Sequence, residues 1–186
     1  VLVSAGAKQA LANALAAIVD PGDEVLFAAP YWVSYPEMAR LVGGVPVVVE
    51  AADGGFVPTL AEFEAKLGDK TRALIINSPS NPTGAVYPRE LLESLIGICE
   101  ERGVFVIMDD IYHQLVFDGY RPPSAFALSK AGAEDSRLIV INGVSKSYAM
   151  TGYRIGWAVA APTLVKAMGA MQGHQTSGPS ALSQLS

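Results

Sequence analysis

The chain has a single cysteine, Cys99, among 186 residues, so no disulfide can form within it. That count fits a reducing compartment, and the cytoplasm is the expected location. Its neighbours Ile96 and Ile98 point to a packed, inert thiol. Histidine is almost as scarce: His113 and His174 stand far apart, and nothing has the spacing of metal ligands. Basic residues are outnumbered, 13 Lys and Arg against 18 Asp and Glu, for a formal net charge of −5. No basic stripe with interleaved aromatics occurs, which argues against a nucleic-acid partner. Long apolar runs are missing too. Although 51% of the residues are hydrophobic, none of the runs approaches the ~18 residues of a membrane span. The apolar residues come in short blocks, which suggests strands buried on both faces or an oligomer interface. Val1 is not an initiator methionine, and no leader peptide is evident. The chain is therefore expected to be an interior piece of a longer protein.

What is present alternates. Strands are predicted over Val1 to Ser4, Glu24 to Ala29, Val45 to Glu50, Arg72 to Asn77, Val104 to Met108, Leu138 to Ile141 and Ile155 to Ala160. Between them, helices are predicted from Gly6 to the Asp20-Pro21-Gly22-Asp23 turn, over Pro36 to Val42, from Thr59 to Leu67, from Pro88 to Arg102, and from Pro162 onward. Thr59 and Glu62 have the spacing of a capping box. A short helical turn is expected around Ala125 to Lys130, inside a long loop. Apolar strands without a period of two, alternating with helices, predict an α/β fold: a three-layer sandwich around a mostly parallel sheet. In such sheets ligands bind outside the carboxyl ends of the strands.

The groups at those ends are distinctive. Ser4-Ala5-Gly6-Ala7-Lys8 opens a helix, where backbone N–H groups attract phosphate and small residues let the anion approach. An ordinary strand-to-helix turn has the same look. Tyr31-Trp32 follows the second strand and offers a core aromatic or a face for a planar ring. Asn77 to Gly84 forms a dense Asn/Pro/Gly loop in which Asn81 can present an amide to a ligand. Asp109 directly follows an apolar strand, so its carboxylate needs a cation or a donor. A helix cap or a local arginine would satisfy it. A protonated pyridine nitrogen is the sharper candidate, held by a charge-assisted hydrogen bond. Lys146 lies in a small-residue turn after a buried strand. Desolvation or a nearby cation there would yield a nucleophilic amine able to form a Schiff base with an aldehyde. Arg154, eight residues further on, can pair bidentately with a phosphate. Together these supply a phosphate site, a ring-nitrogen acid, a stacking aromatic and a Schiff-base amine, and the aldehyde they suggest is pyridoxal 5'-phosphate.

Three segments carry a resemblance: SPSNPTG at Ser78 to Gly84, DDIYHQL at Asp109 to Leu115, and SKSYAMTGYRIG at Ser145 to Gly156. PYWVSYPEM at Pro30 to Met38 and AGAKQAL at Ala5 to Leu11 extend it over essentially the whole chain. The sequence resembles the class I/II aminotransferases, the aspartate aminotransferase-like group of fold type I enzymes dependent on pyridoxal phosphate. The resemblance implies catalytic roles for Lys146, Asp109 and Tyr112. Lys146 would form the Schiff base and then shuttle a proton, and Asp109 would pair with the pyridine nitrogen. Tyr112 and Asn81 would hydrogen-bond the phenolic oxygen, and Asn81 could also touch the substrate carboxylate. Trp32 would stack on the ring, while Gly6, Ala7, Lys8 and Arg154 would hold the phosphate. It also implies amino acid and 2-oxo acid substrates, a homodimer, and a pyridoxal phosphate-binding major domain spanning residues 1–186, incomplete at both ends.

The sequence departs from the family pattern in places. Asp110 stands where glutamate is common, and Gly143 where some members carry a phosphate-binding hydroxyl, a part Ser145 could take. The small domain with its carboxylate-gripping arginine, the N-terminal arm and the partner tyrosine are not represented. The chain alone is accordingly expected to be inactive or nearly so. Two other readings share the motifs. A C–S lyase or an aminocyclopropanecarboxylate synthase-like enzyme would use the same Lys146, Asp109 and Tyr112. The aminotransferase-like domain of a pyridoxal phosphate-dependent transcription regulator would require a helix-turn-helix before Val1. TGYRIG and YWVSY resemble the aminotransferases more.

Overall fold

The structure, a computed structural model, describes residues 1–129, 131–132 and 134–185. Lys130 and Ser186, which end the predicted turn and the predicted domain, lie outside the described residues. Seven strands form one sheet: β1 (Leu2–Ser4), β2 (Glu24–Ala28), β3 (Val45–Val49), β4 (Thr71–Asn77), β5 (Phe105–Asp109), β6 (Leu138–Gly143) and β7 (Gly156–Val159). Their order is β1-β7-β6-β5-β4-β2-β3. The run from β3 to β6 is parallel, and β7 is antiparallel to both of its neighbours. The predicted α/β sandwich with a mostly parallel sheet is therefore the fold observed.

Helices α1 (Ala7–Ile18), α2 (Ser34–Leu41) and α5 (Pro162–Gln175) cover one face of the sheet. Helices α3 (Leu60–Glu64) and α4 (Arg89–Arg102) cover the other. A short helix, α6 (Ala181–Gln184), follows. Successive strand residues point to opposite faces. Phe27, Ile75, Ile107 and Ile139 accordingly enter the core beneath α1 and α2, while Leu26, Leu74, Val106 and Leu138 enter the core beneath α4. Because both faces are buried, neither set can be polar, and this is why the strands read as unbroken apolar runs. Cys99 is fully buried in the α4 layer, and burial pushes its thiol up to about 12, as expected of an inert packing residue.

Of the local signals, the capping box held and two helix boundaries moved. Thr59 and Glu62 form the capping box, with the Glu62 carboxylate accepting from the Thr59 N–H at 2.6 Å. Helix α3 ends at Glu64 rather than Leu67, with Ala65 at its C-cap. Helix α2 starts two residues before Pro36, because proline is tolerated in a first turn where its missing N–H has no partner to lose. That earlier start places Tyr35 in the helix and turns it inward. The long loop carries its turn at Ala125–Ala127.

Candidate active site

The carboxyl ends of the parallel strands open onto a cleft of about 360 Å³, within the size range of small-ligand sites. Ala7, Lys8, Trp32, Asn81, Asp109, Tyr112, Lys146 and Arg154 all line it. Residues from five different segments thus meet at one place, as the strand-end argument required. Tyr35, Asn77, Ser145 and Thr151 join them.

Asp109 is the last residue of β5 and is 6% exposed. By strand parity it faces the same side as Ile107, beneath α2. There the Tyr35 hydroxyl donates to Asp109 Oδ2 at 2.7 Å, and the Ile111 N–H approaches Oδ1 at 3.4 Å. Burial pushes the Asp109 carboxyl up, while the two donors pull it back toward the ionised form. Burial, together with the negative Asp109, holds the Tyr35 hydroxyl well above the usual tyrosine range, so Tyr35 is a neutral donor. Asn77, the residue paired with Asp109 across the parallel ladder, donates its side-chain amide to the Asp109 carbonyl at 2.7 Å. Its Oδ1 accepts the Asn81 N–H, also at 2.7 Å. One buried amide therefore couples the β5 end to the Asn/Pro/Gly loop. Asp110, just past the end of β5, does not line the cleft. Burial and the adjacent Asp109 raise its carboxyl to about 7.

The Arg154 end of the cleft is built from glycines. Gly6 has φ 91° and ψ 161°, a conformation essentially reserved for glycine. A Cβ there would lie 2.5 Å from Arg154 Nη2, so the guanidinium sits directly on the Gly6 turn. No acidic residue occupies the first turn of α1, and the unpaired N–H groups and positive end of the helix are left for an anion. Gly156 makes this possible: a Cβ there would be 2.2 Å from the Ala7 nitrogen. Only hydrogen fits between β7 and the α1 terminus. Arg154 Nη1 also donates to the Thr151 carbonyl at 3.1 Å, which closes a short loop around the site. Ser145 and Thr151 both line the cleft, so hydroxyls are present although Gly143 supplies none.

Lys146 projects into this cleft, with its Nζ 5.8 Å from the centre of the Tyr112 ring. The sequence argument set its amine in desolvated surroundings, and the structure corrects that. Lys146 is exposed, because it lies three residues beyond the end of β6, clear of the buried layer. The Lys8 ammonium lies 4.8 Å from the centre of the Trp32 ring rather than across the Gly6 turn. Trp32 in turn packs edge-on against Tyr35, with centroids 5.6 Å apart at 89°.

Sequence reasoning missed Tyr35, Asn77 and Thr151. Two of them were signalled. Tyr35 falls three residues after Trp32, at the start of α2, and Asn77 shares a strand face with Ile75 at the sheet's carboxyl edge.

The model of the aminotransferase class I and II family matches residues 1–186. The aspartate/prephenate aminotransferase of Thermus thermophilus is 42% identical over 184 residues, covering 98% of this chain and 46% of that protein. The namesake from Cereibacter sphaeroides is 46% identical, over 99% of this chain and 46% of its own length. Among solved structures, aspartate aminotransferase from Thermus thermophilus with maleate superposes with a TM-score of 0.91 at 43% identity, over 98% of this chain and 46% of that one. The chain thus spans about half the length of the relatives it matches. On these grounds the chain belongs to the class I and II aminotransferase family.

Proposed function

We propose that the protein moves an amino group between an amino acid and a 2-oxo acid, with pyridoxal phosphate as its cofactor. The observation that carries this reading is the convergence of Lys146, Asp109, Tyr112, Asn81, Trp32 and Arg154 on one cleft. The residues fit the cofactor. An arginine seated on a glycine turn at a helix N-terminus suits a phosphate, and a buried carboxylate suits a ring N–H. When bound, the cofactor would supply an electrophilic carbon and a ring that withdraws electrons.

The chain's own residues then have distinct tasks. Arg154 and the N–H groups of Ala7 and Lys8 anchor the phosphate. Trp32 fixes the plane of the ring. Asp109 keeps a proton on the ring nitrogen, and Tyr112 and Asn81 donate to the phenolic oxygen. The Lys146 amine would hold the cofactor's electrophilic carbon and carry a proton to and from the substrate Cα. Aspartate is the amino donor we assign, on the names of the relatives. We also take this chain to be the cofactor-binding major domain of a cytoplasmic homodimer. The exposed Val33, Leu41 and Phe117, each more than 70% accessible, support an apolar interface. Among the described residues, no helix is long and apolar enough to cross a membrane.

The test is conversion of L-aspartate to its 2-oxo acid by the purified full-length protein with pyridoxal phosphate and an acceptor 2-oxo acid. Turnover above that of Lys146→Ala is expected. Equal rates would overturn the reading.

A further inference from the structure

We infer that Tyr35 is the positioning residue for Asp109: its hydroxyl aims the carboxylate, and so governs how firmly the site retains a proton on a bound ring nitrogen. The contact is a 2.7 Å O–H···O bond between two buried side chains, Tyr35 being 3% exposed and Asp109 6%. A phenol in that place would bury its hydroxyl at a cost without such a partner. Phenylalanine would fill the same space against Phe27 and Trp32, whose rings lie 6.0 and 5.6 Å from that of Tyr35. Packing therefore explains the ring but not the oxygen.

The oxygen acts on the acid. A carboxylate has about four acceptor positions. Tyr35 and Ile111 occupy two of them, leaving the others for a cationic N–H in the cleft. A donor to the charged form favours that form, against the burial that disfavours it. Trp32 and Tyr35 also touch. Tyr35, at the start of α2, thus contacts both the residue that would face the ring and the residue that would meet its nitrogen. The link to catalysis rests on the proposed function. The effect on Asp109 itself does not.

The experiment uses the full chain with its aspartate carboxyls and tyrosine ζ carbons labelled with ¹³C, titrated by NMR before and after loading with pyridoxal phosphate. Tyr35→Phe is expected to raise the Asp109 midpoint by about one pH unit or more before loading, a tenfold weaker acid. After loading, the ring-nitrogen proton should be lost at a correspondingly altered pH. In the unsubstituted chain the Tyr35 ζ carbon should shift at the Asp109 midpoint, a readout independent of whether the variant folds. A variant that loses thermal stability but leaves the Asp109 midpoint in place would overturn the inference, as would a Tyr35 resonance indifferent to Asp109. Failure of the unsubstituted protein to retain pyridoxal phosphate would instead overturn the proposed function, while the unloaded titration would still decide the role of Tyr35.

Discussion

Gly6→Ala tests the proposed phosphate-binding role of the Gly6–Arg154 end of the cleft on two separate counts. The first is backbone strain. At φ 91° and ψ 161° an alanine sits in a region open essentially to glycine alone, which costs about 1–3 kcal/mol of stability. The second is displacement. The new methyl would lie 2.5 Å from Arg154 Nη2 and 3.0 Å from Cζ, and both atoms belong to the far end of a flexible side chain. The guanidinium can swing away, so the clash itself is relieved cheaply, but the anion loses its charged partner. A hydrogen bond to a charged group is worth about 1.5–3 kcal/mol, or roughly 10- to 150-fold in affinity. The assay is pyridoxal phosphate binding by fluorescence titration, alongside thermal unfolding, for Gly6→Ala, Arg154→Ala and the double variant. Each single change should weaken binding by at least about tenfold. In the Arg154→Ala background, Gly6→Ala should add little further loss of affinity yet still lower stability by its full strain cost. Unchanged affinity in Gly6→Ala would refute this reasoning, and so would fully additive affinity losses.

Gly156→Ala should be far more damaging to the fold, since its Cβ would meet the backbone of Ala7 and Gly6 at 2.2 and 2.5 Å, atoms that cannot yield independently. Loss of soluble protein, or a fall in Tm well beyond that of Gly6→Ala, is expected. Asn77→Ala removes the amide that joins the Asp109 carbonyl to the Asn81 N–H, and with one buried and one half-buried partner stranded it should cost about 1–3 kcal/mol in urea unfolding. Asp110 gives a pH test. Its folded carboxyl titrates at about 7, against an ordinary value of 3.8. The folded state therefore binds the proton more tightly, and stability falls as pH rises between those values and levels off above about 7. Asp110→Asn should remove that decline, so its Tm advantage over the unsubstituted protein should be larger at pH 8 than at pH 4. An equal gap at both pH values would contradict the assignment.

Much of this was legible in the sequence because the relevant physics is local. The Thr59–Glu62 box, the Pro162 start of α5 and the apolar runs of β4 to β6 each depend on residues a few positions apart, or on burial from both faces. The strand-end rule then gathered Asp109, Lys146, Arg154, Asn81 and Trp32 without any contact information. What escaped it depends on three-dimensional register. That Tyr35 faces Asp109 follows only once α2 is known to start at Ser34 and β2 and β5 to lie on either side of β4. Asn77 could be matched with Asp109 only after the register of β4 against β5 was fixed. The setting of Lys146 was misjudged for a related reason. Proximity in sequence to a buried strand says little about exposure once a turn has carried the chain clear of the sheet.

In the proposed function, Lys146 is the amine that holds the cofactor. Borohydride reduction of the pyridoxal phosphate-loaded protein, followed by peptide mapping, tests it most directly. The expected result is a single phosphopyridoxyl group on the peptide containing Lys146. Label on Lys8 or another lysine with Lys146 unmodified, or no label on a folded and loaded protein, would contradict it.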